Sequence, residues 1–355
     1  MESLGLNPSF WRGRRVLLTG QTGFKGAWLA LWLELLGAEV SAFALEPEPE
    51  SLWPRLRPRP GTGSAIVDIR SNAAVDEQVR TASPEIVLHL AAQAIVRRGY
   101  EDPSSTFATN VQGTVNLIEA LRSTETLRAL LVITSDKVYG APPGEDGFLE
   151  SDPLGGADPY SASKAACEIV VAAYRESILA PKGVAVATAR AGNIVGGGDM
   201  GQGRLMPDII RALATGKPLR LRAPHALRPW LHVLDALHGY IGFAEQLFNR
   251  PEEAAPALNF GPGPSSRRCV REVVEAAYGT WGASQNIETD EAFPVEPKPL
   301  WLNSIRARQT LGWSPRLDFD DTIQWTVDWW RRLERGESAR DVCIRQIDAY
   351  TGLSQ

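Results

Sequence analysis

The chain has 355 residues, with hydrophobic and charged shares of 44% and 22%, an ordinary globular composition at a length that favours two domains over one. A net charge of -5 argues against a broad nucleic-acid-binding surface but leaves room for a local basic pocket that takes a phosphorylated small molecule. Cys167, Cys269 and Cys343 are odd in number and far apart, with no CxxC or Cys/His cluster, so neither a disulfide framework nor a metal site is expected. The N-terminus carries Glu2 and no apolar core before Phe10 and Trp11, and the most apolar run, Ala27 to Leu36, contains Glu34. That run is too short to span a bilayer, and the expected setting is the cytoplasm, with no membrane partner.

Arg15 to Thr19 is a short apolar run, and Ala27 to Leu36 has the length and composition of a helix. Between them stands Gly20-Gln-Thr-Gly23-Phe24-Lys25-Gly26. Glycines let the backbone turn tightly and approach a pyrophosphate, whose charge sits at the positive end of the following helix. With a strand before and a helix after, this GxxGxxG reads as a dinucleotide site whose candidates are Gly20, Gly23, Phe24, Lys25 and Gly26. Val40 to Leu45 reads as the second strand, and Glu46 stands where an acid would hold the adenosine ribose. A carboxylate there repels a ribose phosphate, so NAD is expected rather than NADP. Glu46 to Pro60 should be loop, and Asp68 and Ile69 follow the next strand, where adenine would lie. Ile86 to Leu90 is a further strand, and the small residues of Leu90-Ala91-Ala92 let backbone approach the cofactor. His89 reads as a satisfied strand-end histidine. Asn110 opens a helix that runs to Leu121; it is counted with the cofactor residues, and Gln93 with those for substrate.

Leu130 to Thr134 completes a series of short, fully apolar runs separated by helices. That is the pattern of a doubly wound, Rossmann-type α/β fold with a parallel sheet covered on both faces. The expected organisation is an NAD-binding domain over 1–190 and a smaller mixed α/β substrate domain over 191–355, with some segments packing back on the first. Ser135, Asp136 and Lys137 end the 130–134 strand, where open α/β sheets present their ligands. Ser135 would hydrogen-bond a hydroxyl being oxidised, and an acid beside a cation could deliver one proton and remove another. Ala141 to Ala157, rich in Pro, Gly and acids, reads as a loop. Tyr160 and Lys164 follow it, one helical turn apart on the same face. A free phenol with a pKa of about 10 is a poor base at neutral pH. A nearby cation favours the phenolate, so Lys164 is expected to lower that value and to bind the nicotinamide ribose.

These motifs resemble the extended short-chain dehydrogenase/reductase superfamily, and within it the chain is most similar to CDP-glucose 4,6-dehydratases. The resemblance rests on Thr22-Gly-Phe-Lys-Gly-Ala-Trp-Leu29, Ser135-Asp-Lys137, Pro153-Leu-Gly-Gly-Ala-Asp-Pro-Tyr160, Arg190-Ala-Gly-Asn193 with Gly196-Gly-Gly-Asp199, Arg228-Pro-Trp-Leu-His-Val233 and Leu311-Gly-Trp-Ser-Pro315. It implies that Tyr160 takes the proton of a sugar 4-hydroxyl while hydride passes from C4 to NAD. It makes Lys137 the candidate base at C5 and Asp136 the acid that releases the 6-hydroxyl as water. A lysine base must be neutral, which requires a strongly lowered pKa. Two positions depart from the pattern: the stretch Gly140-Ala-Pro-Pro-Gly-Glu-Asp-Gly147 replaces an aromatic-rich segment, and Asn303 stands where the family often has aspartate. A 4-epimerase would need Tyr160 and Lys164 but no acid/base pair, so Asp136 and Lys137 favour the dehydratase. A cofactor-binding sensor that has lost catalysis is the remaining alternative.

On the substrate side the resemblance carries Asn193 over as a residue that meets the nucleotide diphosphate. Leu219-Arg220-Leu221-Arg222 alternates apolar and basic residues, which in a strand puts both arginines on one face. Guanidinium forks suit a diphosphate, so Arg220, Arg222 and above all Arg228 are candidates, followed by Arg204 and Arg306. The helices Asn110 to Leu121 and Ser161 to Ala173 are apolar on more than one side and must be covered twice; in relatives this pair forms a dimer's bundle, so a homodimer is expected.

Overall fold

The computed structural model describes residues 6–56, 63–201, 203–221, 223–289 and 301–353. Seven strands, β1 (Arg15–Thr19), β2 (Glu39–Ala44), β3 (Gly63–Ile66), β4 (Ile86–His89), β5 (Ala129–Ile133), β6 (Ala185–Ala191) and β7 (Ala257–Phe260), form one sheet in the order β7-β6-β5-β4-β1-β2-β3. Every pairing in it is parallel. The apolar runs explain the layering, because successive strand residues point to opposite faces. Val16, Leu18, Ile86, Leu88, Leu131 and Ala189 enter one core with the helices Phe24–Leu35 and Val233–Asn249. Leu17, Val87, Leu130, Val132 and Val186 enter the other, against Val75 and Val79, Leu117 and Ile118, and Cys167 and Val171 of three further helices. The strand order reverses between β1 and β4, and the crevice at such a switch point is where open α/β sheets bind ligands.

The chain beyond residue 190 contributes to two cores. The helix Val233–Asn249, strand β7 and the helix Ala339–Thr351 join the sheet's first layer through Tyr240, Phe243, Phe260, Cys343 and Tyr350. A separate cluster combines Met206 and Ile209, Leu219 and Leu221, Val273 and Val274, and Ile323 and Val327. It joins the helices Leu205–Thr215, Val270–Trp281 and Phe319–Glu334 to a two-stranded pair, Leu219–Leu221 with Ile287–Thr289.

Two local differences from the expected elements have simple causes. Within the loop expected at 46–60, Leu52–Leu56 forms a short helix, because Leu52 and Leu56 lie one turn apart and both bury against the first core. The helix expected from Asn110 begins as a π-helical turn, Ala108–Gln112, and becomes α-helical at Gly113–Leu121. Such turns often mark functional positions, and Asn110 here is buried and fully engaged. Its Oδ1 accepts from the Gln93 amide at 2.8 Å, and its Nδ2 donates to the Gln93 carbonyl and to Ser163 Oγ.

Candidate active site

The glycine loop owes its shape to close approaches that no side chain permits. Gly20 has φ +84°, and a Cβ on it would meet the Ala91 backbone nitrogen at 2.7 Å. A Cβ on Gly26 would stand 2.0 Å from the Gly20 carbonyl oxygen. Gly23 caps the helix Phe24–Leu35, whose first amide groups are left to a ligand. Beneath the loop runs a buried chain of hydrogen bonds: Thr19 Oγ1 to His89 Nδ1 at 2.7 Å, His89 Nε2 to Thr114 Oγ1 at 2.9 Å, and Thr114 to the Asn110 carbonyl. Thr19 Oγ1 also accepts from the Ala91 amide, fixing the Leu90-Ala91-Ala92 turn beside Gly20. Burial pushes the His89 imidazole down to about 3, so it is a neutral structural group. The Gln21 Oε1 is buried without a partner among the described residues. A glycine cradle at a helix N-terminus, with an unused buried acceptor beside it, fits the diphosphate and ribose of a dinucleotide.

On the adenosine side, Ile69 is buried under Gly113, where a Cβ would meet its Cγ2 at 2.6 Å, and its carbonyl accepts from Asn116. Asp68 is held by Arg70, whose nearest nitrogen lies at 2.5 Å, and that guanidinium keeps the carboxyl below its ordinary range. Glu46 is exposed two residues past β2.

Beyond β5, Ser135 donates to Asp136 Oδ1 at 3.0 Å and accepts from the Lys137 amide, shaping the turn Asp136–Val138. Asp136 is buried against Gly192, where a Cβ would lie 1.9 Å from Oδ2. Lys137 is half-buried, and among the described residues its ammonium has no hydrogen-bond or ion-pair partner. The helix Pro159–Tyr174 starts where Asp158 caps it, accepting from the Ser161 amide at 3.0 Å, with Pro159 in the first turn. It delivers Tyr160 and Lys164, both buried, to the same cleft.

Their electrostatics correct one expectation. Burial pushes the Tyr160 phenol up to about 12, helped by Asp136 and Asp158 and opposed by a hydrogen bond with Ser135 and the charge of Arg204. The main influences that lower it are therefore Ser135 and Arg204. The Lys164 ammonium donates to the Ile133 carbonyl at 3.1 Å, and burial lowers its own pKa. The protein by itself therefore holds Tyr160 as a neutral phenol, because desolvation outweighs the local cations.

Arg204 and Arg228 reach this cleft. Arg204 pairs with Asp199 at 3.1 Å and acts on Tyr160, while Arg228, half-buried, faces Asp136, and burial lowers its pKa. Asn193 has φ +48°, a left-handed conformation that a non-glycine residue seldom adopts. It lies between β6 and the strand Ile194–Val195, and its carbonyl accepts from Leu231. Arg220 requires a second correction. The burial order in Leu219–Leu221 is in-out-in, so its side chain is 84% exposed and pairs with Glu288. It is a solvated charge on a two-stranded edge, and Arg222 lies outside the described residues. Gln93 is engaged with its own loop, donating to Thr106 and accepting from the Ile95 amide. Arg306 stands 3.7 Å from Glu150, at the edge of the loop 141–157.

Three contributors escaped the sequence reading. Gly192 was visible only as one letter of the Arg190-Ala-Gly-Asn193 motif. Tyr240 sits in a uniformly apolar helix that gives no hint of its place beside Lys25, whose ammonium lies 5.9 Å from the ring centroid. The third is a buried ion pair, Arg190 with Glu168 at 2.8 Å, which also takes in Thr134, Thr188 and Tyr139. Glu168 lies one turn beyond Lys164, so this network ties the helix Pro159–Tyr174 to β6 and to the end of β5.

A seven-stranded parallel Rossmann sheet with a glycine cradle and a buried Tyr/Lys pair at its switch-point crevice defines a nucleotide-dependent dehydrogenase-type protein. The sequence profile of the NAD dependent epimerase/dehydratase family matches residues 16–255, and the chain belongs to that family. It is 39% identical to a CDP-glucose 4,6-dehydratase of Salmonella typhimurium over 97% of this chain and 98% of that one. A dTDP-glucose 4,6-dehydratase of Streptomyces griseus is 29% identical over 71% of this chain and 73% of the relative. The solved UDP-glucose 4-epimerase of Thermus thermophilus, a complex with NAD, is 26% identical and superposes with a TM-score of 0.75, covering 89% of this chain and 98% of the other.

Proposed function

We propose that the chain is an NAD-dependent lyase that converts CDP-glucose to its 4-keto-6-deoxy derivative by removing water across C5 and C6. The observation that carries the reading is the buried Asp136 beside the Tyr160/Lys164 helix in a chain 39% identical to a CDP-glucose 4,6-dehydratase over nearly its whole length. Bound NAD supplies reversible hydride acceptance, from C4 and back to C6. The protein's residues do the rest. Lys164 would orient the nicotinamide ribose, and Tyr160, once ionised beside the positive charge of the oxidised cofactor, would take the proton of the 4-hydroxyl. A ketone at C4 acidifies the C5 proton, which Lys137 removes, while Asp136 protonates the departing 6-hydroxyl. Arg204, Arg228 and Asn193 hold the diphosphate. A 4-epimerase uses the first two residues alone and leaves the acid at position 136 without a task.

The test is incubation of purified protein with NAD and CDP-glucose in deuterated water, followed by mass and ring protons. The reading requires a product lighter by one water with deuterium at C5; an unchanged mass would refute it. We place the enzyme in the cytoplasm as a homodimer. Supporting this are three unpaired cysteines and an exposed apolar face on the catalytic helix, where Ile169 is 61% exposed, with Phe107 and Tyr100 also open. Among the described residues no helix is long and apolar enough to cross a membrane.

A further inference from the structure

Lys25 is the second residue of the helix Phe24–Leu35, directly after the glycine cradle. Among the described residues its ammonium has no hydrogen-bond or ion-pair partner; it lies over the Tyr240 ring at 5.9 Å. The groups that face it come from four elements. Lys164 on the catalytic helix and Arg204 ahead of the helix Leu205–Thr215 repel it, Asp136 after β5 attracts it, and Tyr240 on the helix Val233–Asn249 offers a ring whose hydroxyl is buried and unpartnered. An unpaired amine among other cations, at the end of a helix built to receive a diphosphate, lacks an anion that the dinucleotide can provide.

We propose that Lys25 is the protein's counter-charge to the bound dinucleotide, its amine taking up one proton from solvent as the cofactor's diphosphate docks, so that NAD affinity falls as pH rises. The inference deepens the reading of the cofactor site and does not depend on the sugar chemistry. No bond of the cofactor changes; the amine becomes ammonium and the medium loses a proton. Burial, then Lys164 and Arg204, push the free amine down to about 7, so at neutral pH the chain holds it partly uncharged. A docked diphosphate raises it again, because an opposite charge favours the protonated form.

Calorimetry of NAD binding to the full chain, in HEPES and in Tris, counts the protons exchanged. From an ordinary two-state titration around pH 7, the expected uptake is about 0.9 proton at pH 8 and about 0.1 at pH 6, with affinity roughly tenfold weaker at pH 8. Lys25→Arg stays charged, so it should bind with no uptake and little pH dependence. Lys25→Met should show no uptake and weak binding at both values. The idea is overturned if wild type takes up no proton at pH 8, or if either variant takes up as many as wild type, which would assign the proton to another group. The wild-type and Lys25→Arg results decide the matter even if Lys25→Met does not fold. Binding is read without sugar, so a failed dehydration assay leaves this result in place.

Discussion

Replacing Gly192 by alanine tests the placement of the proposed acid without touching it. The new methyl would stand 1.9 Å from Asp136 Oδ2, 2.1 Å from its Cγ and 2.5 Å from Oδ1. A carbon–oxygen contact needs roughly 3.3 Å, so the carboxylate must retreat by about 1.4 Å. Gly192 is not among the residues of positive φ, and alanine fits its backbone without strain; the clash is the whole perturbation. Overpacking of this kind destabilises by about 1–3 kcal/mol, which thermal denaturation will register. A group displaced by about 1 Å from its working position loses about a hundredfold in rate, equivalent to about 2.7 kcal/mol on the barrier. We therefore expect kcat for water loss from CDP-glucose to fall about a hundredfold while the dissociation constant for NAD, set by the separate Gly20–Gly26 loop, changes less than about twofold. Asp136→Asn, which keeps the volume and removes the proton, should lose at least as much. A Gly192→Ala protein that is folded, binds NAD normally and retains wild-type kcat would refute the assignment of Asp136 as the acid.

Other expectations follow from the same geometry. Gly26→Ala drives a methyl to 2.0 Å from the Gly20 carbonyl and should weaken NAD binding about 5- to 150-fold, through about 1–3 kcal/mol of distortion, measured by calorimetry. Glu168→Gln leaves Arg190, whose side chain is 5% exposed, with an uncompensated buried charge; unfolding free energy should drop by about 3–5 kcal/mol in urea titration, and a Glu168→Leu/Arg190→Met double variant should recover part of it. Tyr160→Phe should lower kcat by about 10²–10⁴ with little change in NAD affinity, read by turnover and calorimetry. His89 is held down to about 3 when folded, against about 6.5 unfolded. Below that upper value only the unfolded chain takes up the proton, so this stability is present above about pH 6.5 and disappears as pH falls toward about 3. His89→Gln should flatten that part of the pH–stability curve, and an unchanged slope would show that His89 does not titrate this way.

Strands β1, β2, β4 and β5 were legible because short, mostly apolar runs, each followed by a glycine turn or a helix, have few other folds to adopt; β6 and β7 were not, since Thr188 and Arg190 interrupt the one and the other is four residues with Asn259 inside it. The cradle and the Tyr160/Lys164 spacing were legible because both depend on residues close in sequence. Legibility failed where a contact joins distant segments. Gly192 matters only because β6 ends beside the turn after β5, and Tyr240 only because the helix Val233–Asn249 crosses back over the first layer. The Arg220 reading failed for a related reason. Alternation identifies a face but not which face is covered, and here the core took Leu219 and Leu221 and left the arginine in water.

Charge shows the same separation of local from global. The chain carries 37 basic and 42 acidic side chains, yet Lys25, Lys164, Arg204 and Arg228 gather in the cleft of Asp136, where Arg204 pairs with Asp199. Burial, and after it the charges of Lys164 and Arg204, drive Lys25 down to about 7, and burial also lowers Lys164. Two diphosphates, one from the cofactor and one from the sugar nucleotide, would reverse that imbalance by bringing anions into the crevice. The charge state of Lys25 is therefore set by the ligands together with the protein, whereas Tyr160 is held up to about 12 by burial and added anions do not ionise it; that calls for positive charge beside the phenol.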